Sequence, residues 1–230
     1  NSTSTRIRPH SAGKSHWTHR IPTDLPKDLT TAVWTGKLLA RYYHFPETAN
    51  AKHLDGKGQT IALVELGQGY LPDDVNKFFA AIGIPAPTVV AASNDTAKNS
   101  WQSTQGEVIT DIDVVGAVVP RARLVVYFGE RATAEELYDT INMAVLDSER
   151  KPSVISISWG WAESRIPKPI MDATSELFKK AALLGITICV ASGDNGSLDL
   201  TPGSADALAN QGKLNVDFPA CLEASLGCGG

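Results

Sequence analysis

The run Thr60-Ile61-Ala62-Leu63-Val64-Glu65-Leu66 is apolar without interruption until Glu65, and Gly67 follows it. A strand with one face in water alternates polar and apolar residues, whereas a strand apolar throughout is covered on both faces. The same character returns at Arg123-Leu124-Val125-Val126-Tyr127-Phe128, Ser153 to Ser158 and Ile186 to Ala191, with a shorter candidate at Thr88 to Ala92. Helical stretches separate these runs. Leu71 to Ile82 opens on Pro72-Asp73-Asp74 and closes at Gly83, signals that suit the two ends of a helix. Gly106 to Val119 stops at Pro120, whose ring cannot continue a helix. Thr133 to Glu149 carries Thr133 and Glu136 at the spacing of a capping box, and Met171 to Leu184 is closed by Gly185. Strand and helix alternate, so the expected fold class is α/β: a mostly parallel sheet with helices on both faces. Functional sites in such sheets form beyond the carboxyl ends of the strands.

Composition narrows the function classes. At 230 residues and 43% hydrophobic, the chain has enough apolar material for one sizeable core. A net charge of −4 argues against a nucleic-acid partner. No apolar run approaches the roughly 18–20 residues that span a bilayer, so no membrane partner is expected. No glycine-rich phosphate cradle and no zinc-ligand spacing occur. Residues 1–30 are polar, basic and broken by Pro9, Pro22 and Pro26. They read as an extended segment, either a plain solvated tail or a processing linker, ahead of a domain over 31–230. The start at Asn1 suits a processed product. Cys189 lies within an apolar strand run and is expected to be a buried free thiol. Whether Cys221 and Cys228 pair is left open by the sequence. Asn1, Asn94 and Asn195 head glycosylation tripeptides, which matter only in a secretory pathway.

Chemistry enters with Gly106-Glu107-Val108-Ile109-Thr110-Asp111-Ile112-Asp113-Val114-Val115. At about 100° per residue, Glu107, Asp111, Val114 and Val118 share one stripe, next to that of Val108, Ile112, Val115 and Val119. Thr110 and Asp113 fall on the remaining side, expected to face solvent. Two carboxylates one turn apart repel when both ionise, so a partly buried pair holds or shares a proton. That is a condition for general acid–base work. Other readings fit as well: Glu107 as a first-turn acid favoured by the helix dipole, and Asp111 at a solvated edge. Ser158, Trp159 and Gly160 end one strand run, and Asp194 follows another in Ser192-Gly193-Asp194-Asn195-Gly196. Taken singly, these read equally as a packing Trp and a turn.

Taken together, GEVITDIDVVGAVVPRARLVVYF, SVISISWG, ITICVASGDNG and VDFPACLEASLGCGG, in this order and spacing, resemble the sedolisins, the serine-carboxyl peptidases. The resemblance covers roughly residues 32–230. It implies a subtilisin-like fold and an acid-acting peptidase with a Ser-Glu-Asp catalytic set. It makes Glu107 the general base, Asp111 the acid that orients it and Asp194 the acid of the oxyanion site. It places Ser158, Trp159 and Gly160 along the bound substrate and Glu65 behind them, in a hydrogen-bond network running through the Trp. It also implies a peptide or protein substrate, a propeptide, bound Ca2+, and a secreted or lysosome-like acidic setting.

One departure matters. The family's nucleophile lies in a Ser-Gly-Thr-Ser motif beyond the Cys-Gly-Gly segment, and no such motif occurs here. The chain is therefore expected to be the N-terminal portion of a peptidase. The nucleophile, the calcium ligands and the C-terminal part of the fold then belong to a further part of the same protein. These residues alone are expected to be inactive, with Glu223 to Gly230 deprived of its sheet neighbours. The alternative is a non-catalytic fragment or pseudoenzyme that binds a peptide or inhibitor. A two-carboxylate glycosidase suits the pattern poorly, because its acids flank a sugar bond from separate elements about 5–9.5 Å apart.

Overall fold

The computed structural model describes residues 36–45, 54–67, 69–93, 99, 106–200, 203–205, 207 and 212–229. The expected tail over 1–30 and the tripeptides at Asn1 and Asn94 lie outside them. The elements are α1 (Gly36–Tyr42), β1 (Thr60–Leu66), α2 (Pro72–Ala81), β2 (Thr88–Ser93), α3 (Glu107–Val118), β3 (Arg123–Gly129), α4 (Ala134–Leu146), β4 (Val154–Ile157), β5 (Trp161–Ala162), α5 (Lys168–Leu183), β6 (Thr187–Ala191), β7 (Asp217–Phe218) and β8 (Leu226–Cys228).

Six strands form one sheet in the order β2-β3-β1-β4-β6-β8, every pair parallel, and β5 pairs antiparallel with β7 in a small second sheet. The apolar strand runs divide by residue parity. Ala62, Val64, Val125, Tyr127, Ile155 and Val190 pack with Leu137, Ile141 and Phe178 of α4 and α5. Ile61, Leu63, Leu124, Val126 and Phe128 pack on the opposite face with Val75 and Phe79 of α2 and Val108 and Ile112 of α3. Burial on both faces explains why these strands lack polar alternation.

Handedness singles out α3. Passing from β3 to β4 and from β4 to β6, the chain moves one way along the sheet over the α4–α5 face; passing from β1 to β2 it moves the other way over the α2 face. These three crossovers share one hand. The step from β2 to β3 uses the α2 face while moving in the direction of the first two, so its hand is opposite. Since nearly all such crossovers are right-handed, the connection through α3 is the exception. It lays α3 across the middle of the sheet, with its first turn at the carboxyl ends of the strands. Gly116 sets the depth, because a Cβ there would meet Phe79 Cζ and Pro87 Cγ at 2.7 Å.

Four expectations change. The solvent side of α3 is Thr110 and Val114, not Asp113: Val114 is 42% exposed and Asp113 is half-buried. α1 packs on α3, with Gly36 against Ala117 one turn along from Asp113. β8 is not bereft of neighbours, since Leu226 and Cys228 sit opposite Cys189 and Ala191 of β6. Cys189 is a free thiol but half-buried, with Cys228 beside it. The capping box forms by half: Thr133 Oγ1 accepts from Glu136 N at 3.2 Å, while the Glu136 carboxylate turns to Glu130 N. Among the described residues no helix is long and apolar enough to cross a membrane.

Candidate active site

Glu65 is the penultimate residue of β1, and its odd-numbered position points it to the α3 face. Its side chain is fully buried. Trp159, just past β4, donates from Nε1 to Glu65 Oε2 at 3.1 Å. Glu65 Oε1 accepts no hydrogen bond, and the group it meets is the Asp111 carboxyl. Two carboxylates cannot bond without a proton, and burial first, then the Asp111 charge, pushes Glu65 up to about 9. Glu65 is thus a carboxylic acid that donates to Asp111 and accepts from Trp159.

Asp111 sits on the second turn of α3. Ser158 Oγ donates to Asp111 Oδ2 at 2.8 Å. Burial raises the Asp111 pKa, and the hydrogen bonds from Ser158 and Glu65 oppose that rise. Glu107, one turn earlier at the mouth of the site, is half-buried. Its pKa is raised by burial first, then by the negative charges of Asp111 and Asp194. Asp194 comes from the loop after β6 and is solvent-exposed. Glu65, Glu107, Asp111 and Ser158 therefore converge with Asp194 at the carboxyl ends of β1, β4 and β6. The site can exchange protons among stacked carboxyls, with the innermost one neutral.

A pocket of about 230 Å3 opens beside these groups, lined by Ser158, Gly160, Gly193, Asp194, Asp199 and Asp217 among others. The last two acids were not singled out in the sequence. They are 8% and 7% exposed and hydrogen-bond each other, and burial before the Asp199 charge pushes Asp217 up to about 7. The available signal was an acid inside an apolar triplet, Leu198-Asp199-Leu200 and Val216-Asp217-Phe218. No three His, Cys, Asp or Glu side chains among the described residues form a metal-ligand set, so these residues do not fit the calcium that the resemblance implies.

Kumamolisin from Bacillus sp. (strain MN-32) is 41% identical to the chain over 196 residues, 84% of the chain and 33% of kumamolisin. The chain is homologous to the kumamolisin–sedolisin peptidases. Physarolisin from Physarum polycephalum is 30% identical over 175 residues, 70% of the chain and 28% of that protein. The chain thus spans about a third of the length of the curated relatives it matches. Pseudomonas sedolisin, a serine-carboxyl proteinase solved with pseudo-iodotyrostatin, superposes with a TM-score of 0.62 at 23% identity over 75% of the chain and 48% of its own. That likeness shows the fold to be subtilisin-like. No family model matches the chain.

Proposed function

We propose that the chain is the N-terminal portion of the catalytic domain of an acid-acting serine-carboxyl peptidase, made with a propeptide and working in a secreted or lysosome-like acidic compartment. The nucleophilic serine and the calcium ligands then lie in polypeptide beyond these 230 residues, and the 230 alone are inactive. The observation that carries this reading is the convergence of Glu107, Asp111 and Asp194 beside one pocket.

In this mechanism Glu107 accepts the proton of the serine hydroxyl as the oxygen attacks the scissile carbonyl. It then delivers that proton to the leaving amine. Its raised pKa makes it a stronger base than an ordinary carboxylate, and a histidine base would be protonated and idle in acid. Asp111, held by Ser158 and by the neutral Glu65, supplies negative charge that favours the proton on Glu107 during the step. Asp194, in its acid form, donates a hydrogen bond to the tetrahedral oxyanion. Ser158 to Gly160 runs along the substrate, and the adjoining pocket takes one of its side chains.

The test uses the complete protein and a fluorogenic peptide. Asp194→Asn keeps a hydrogen-bond donor and retains most turnover, whereas Asp194→Ala loses about 10²–10³ in kcat, the usual cost of an oxyanion donor. Full turnover in Asp194→Ala overturns the proposal.

A further inference from the structure

Asp199 and Asp217 have no part in proton transfer as just described, yet they are buried where three segments meet. Asp217 opens β7, opposite Ala162 of β5. Asp199 ends the short 3-10 turn after Asp194, with its backbone in the left-handed region at φ 48°. Asp199 Oδ2 and Asp217 Oδ1 accept no hydrogen bond from the described residues. What they press against is backbone. A Cβ on Gly160 would collide with Asp217 Oδ1, and one on Gly193 with Asp199 Oδ1 and, at 3.3 Å, with Asp217 Oδ2. The two carboxyls thus fill the space between the strand end that carries Ser158 and Trp159 and the loop that carries Asp194. Joined by their hydrogen bond, they span both segments.

We propose that the Asp199–Asp217 carboxyl pair is a positioning device that sets Asp194 and the Ser158–Gly160 segment at their working separation. The proposal rests on the peptidase reading of the site. Neither carboxyl touches the reacting atoms. Each acts through a glycine of the segment it braces, and the absence of a Cβ at both glycines is what lets an oxygen approach so closely. Besides Asp194, the groups that face the pair are Arg165 across the pocket and the Cys221 thiol on the far side. One proton shared between two acids gives one donor and one acceptor, and an Asn in place of either acid supplies the same two functions without a charge. Asn also accepts the left-handed backbone of position 199, and Gly accepts it with no side chain at all.

The experiment compares Asp199→Asn and Asp199→Gly in the complete protein by two readouts. The first is amide hydrogen exchange. Asp199→Gly raises exchange in residues 158–162 and 192–196 while β1 and β3 keep their protection, and Asp199→Asn matches the parent. Unchanged exchange in Asp199→Gly overturns the proposal, and so does loss of protection throughout the sheet, which marks a folding defect. The second is turnover of two peptides, one placing a basic side chain and one a neutral side chain in the pocket. For Asp199→Gly, kcat falls about 10–100-fold on both, the cost of displacing a reacting group by about an ångström, with KM changed less than about threefold. Asp199→Asn restores kcat. A change in KM alone, or a loss confined to the basic peptide, makes the pair a wall of the pocket and overturns the proposal. A parent protein that cleaves neither peptide, with the exchange pattern as expected, refutes the peptidase reading and leaves the bracing role standing.

Discussion

Ser158 Oγ donates a 2.8 Å hydrogen bond to Asp111 Oδ2, joining the end of β4 to the second turn of α3. This bond favours the ionised form of Asp111 against the burial that disfavours it. Ser158→Ala therefore raises the Asp111 pKa further. In the complete enzyme the acid limb of the kcat/KM profile moves to higher pH, by up to about one unit for a charge-assisted hydrogen bond worth about 1.5 kcal/mol. A profile that does not move means that Asp111 ionisation does not limit the reaction.

Glu65 carries a linkage prediction. Its folded pKa of about 9 lies above its ordinary 4.5, so the native state binds the extra proton. Its stabilising contribution is complete below the ordinary value and is lost as pH rises toward the folded value. Gln at this position keeps the donor to Asp111 and the acceptor for Trp159 and cannot ionise. Thermal melts of Glu65→Gln should lose less stability between pH 4.5 and 9 than the parent does. Parallel curves would show Glu65 to be ionised in the fold.

Asp113 obeys the same sign. Burial pushes it from 3.8 to about 6, and Oδ1 has no partner among the described residues. Stability is lost as pH rises through that interval. Asp113→Asn should therefore raise the melting temperature above pH 6 and change little below pH 3.8. An equal shift at both ends would show that ionisation is not the cause.

Gly116 tests the seating of α3. A methyl group there meets Phe79 and Pro87 at 2.7 Å in a packed core. Overpacking costs about 1–3 kcal/mol, more than the roughly 1 kcal/mol of helix propensity that alanine gains over glycine. Gly116→Ala should lower the urea midpoint of unfolding, and an unchanged midpoint would mean that α2 yields freely.

What the sequence reveals here depends on how local the physics is. β1, β3, β4 and β6 are legible because a strand covered by helices on both faces is apolar along its length. Glu107 and Asp111 are legible as a pair because one helical turn fixes their spacing. Asp113 misleads because a helical wheel gives directions but not what lies in each direction, and α1, at seven residues, is too short to show a period. The Asp199–Asp217 contact joins the end of a 3-10 turn to the first residue of β7, and no local pattern encodes such a meeting. Hand is likewise invisible in the strand–helix alternation, though it is what lays α3 over the sheet centre.

The role of Glu107 as the base is tested most directly by turnover of a peptide substrate by the complete enzyme over roughly pH 3–7, a window that brackets carboxylate titration. An amide cannot accept the serine proton, so Glu107→Gln should abolish turnover at every pH in that window, while Asp113→Asn remains active. Near-normal turnover by Glu107→Gln would contradict the serine-carboxyl mechanism.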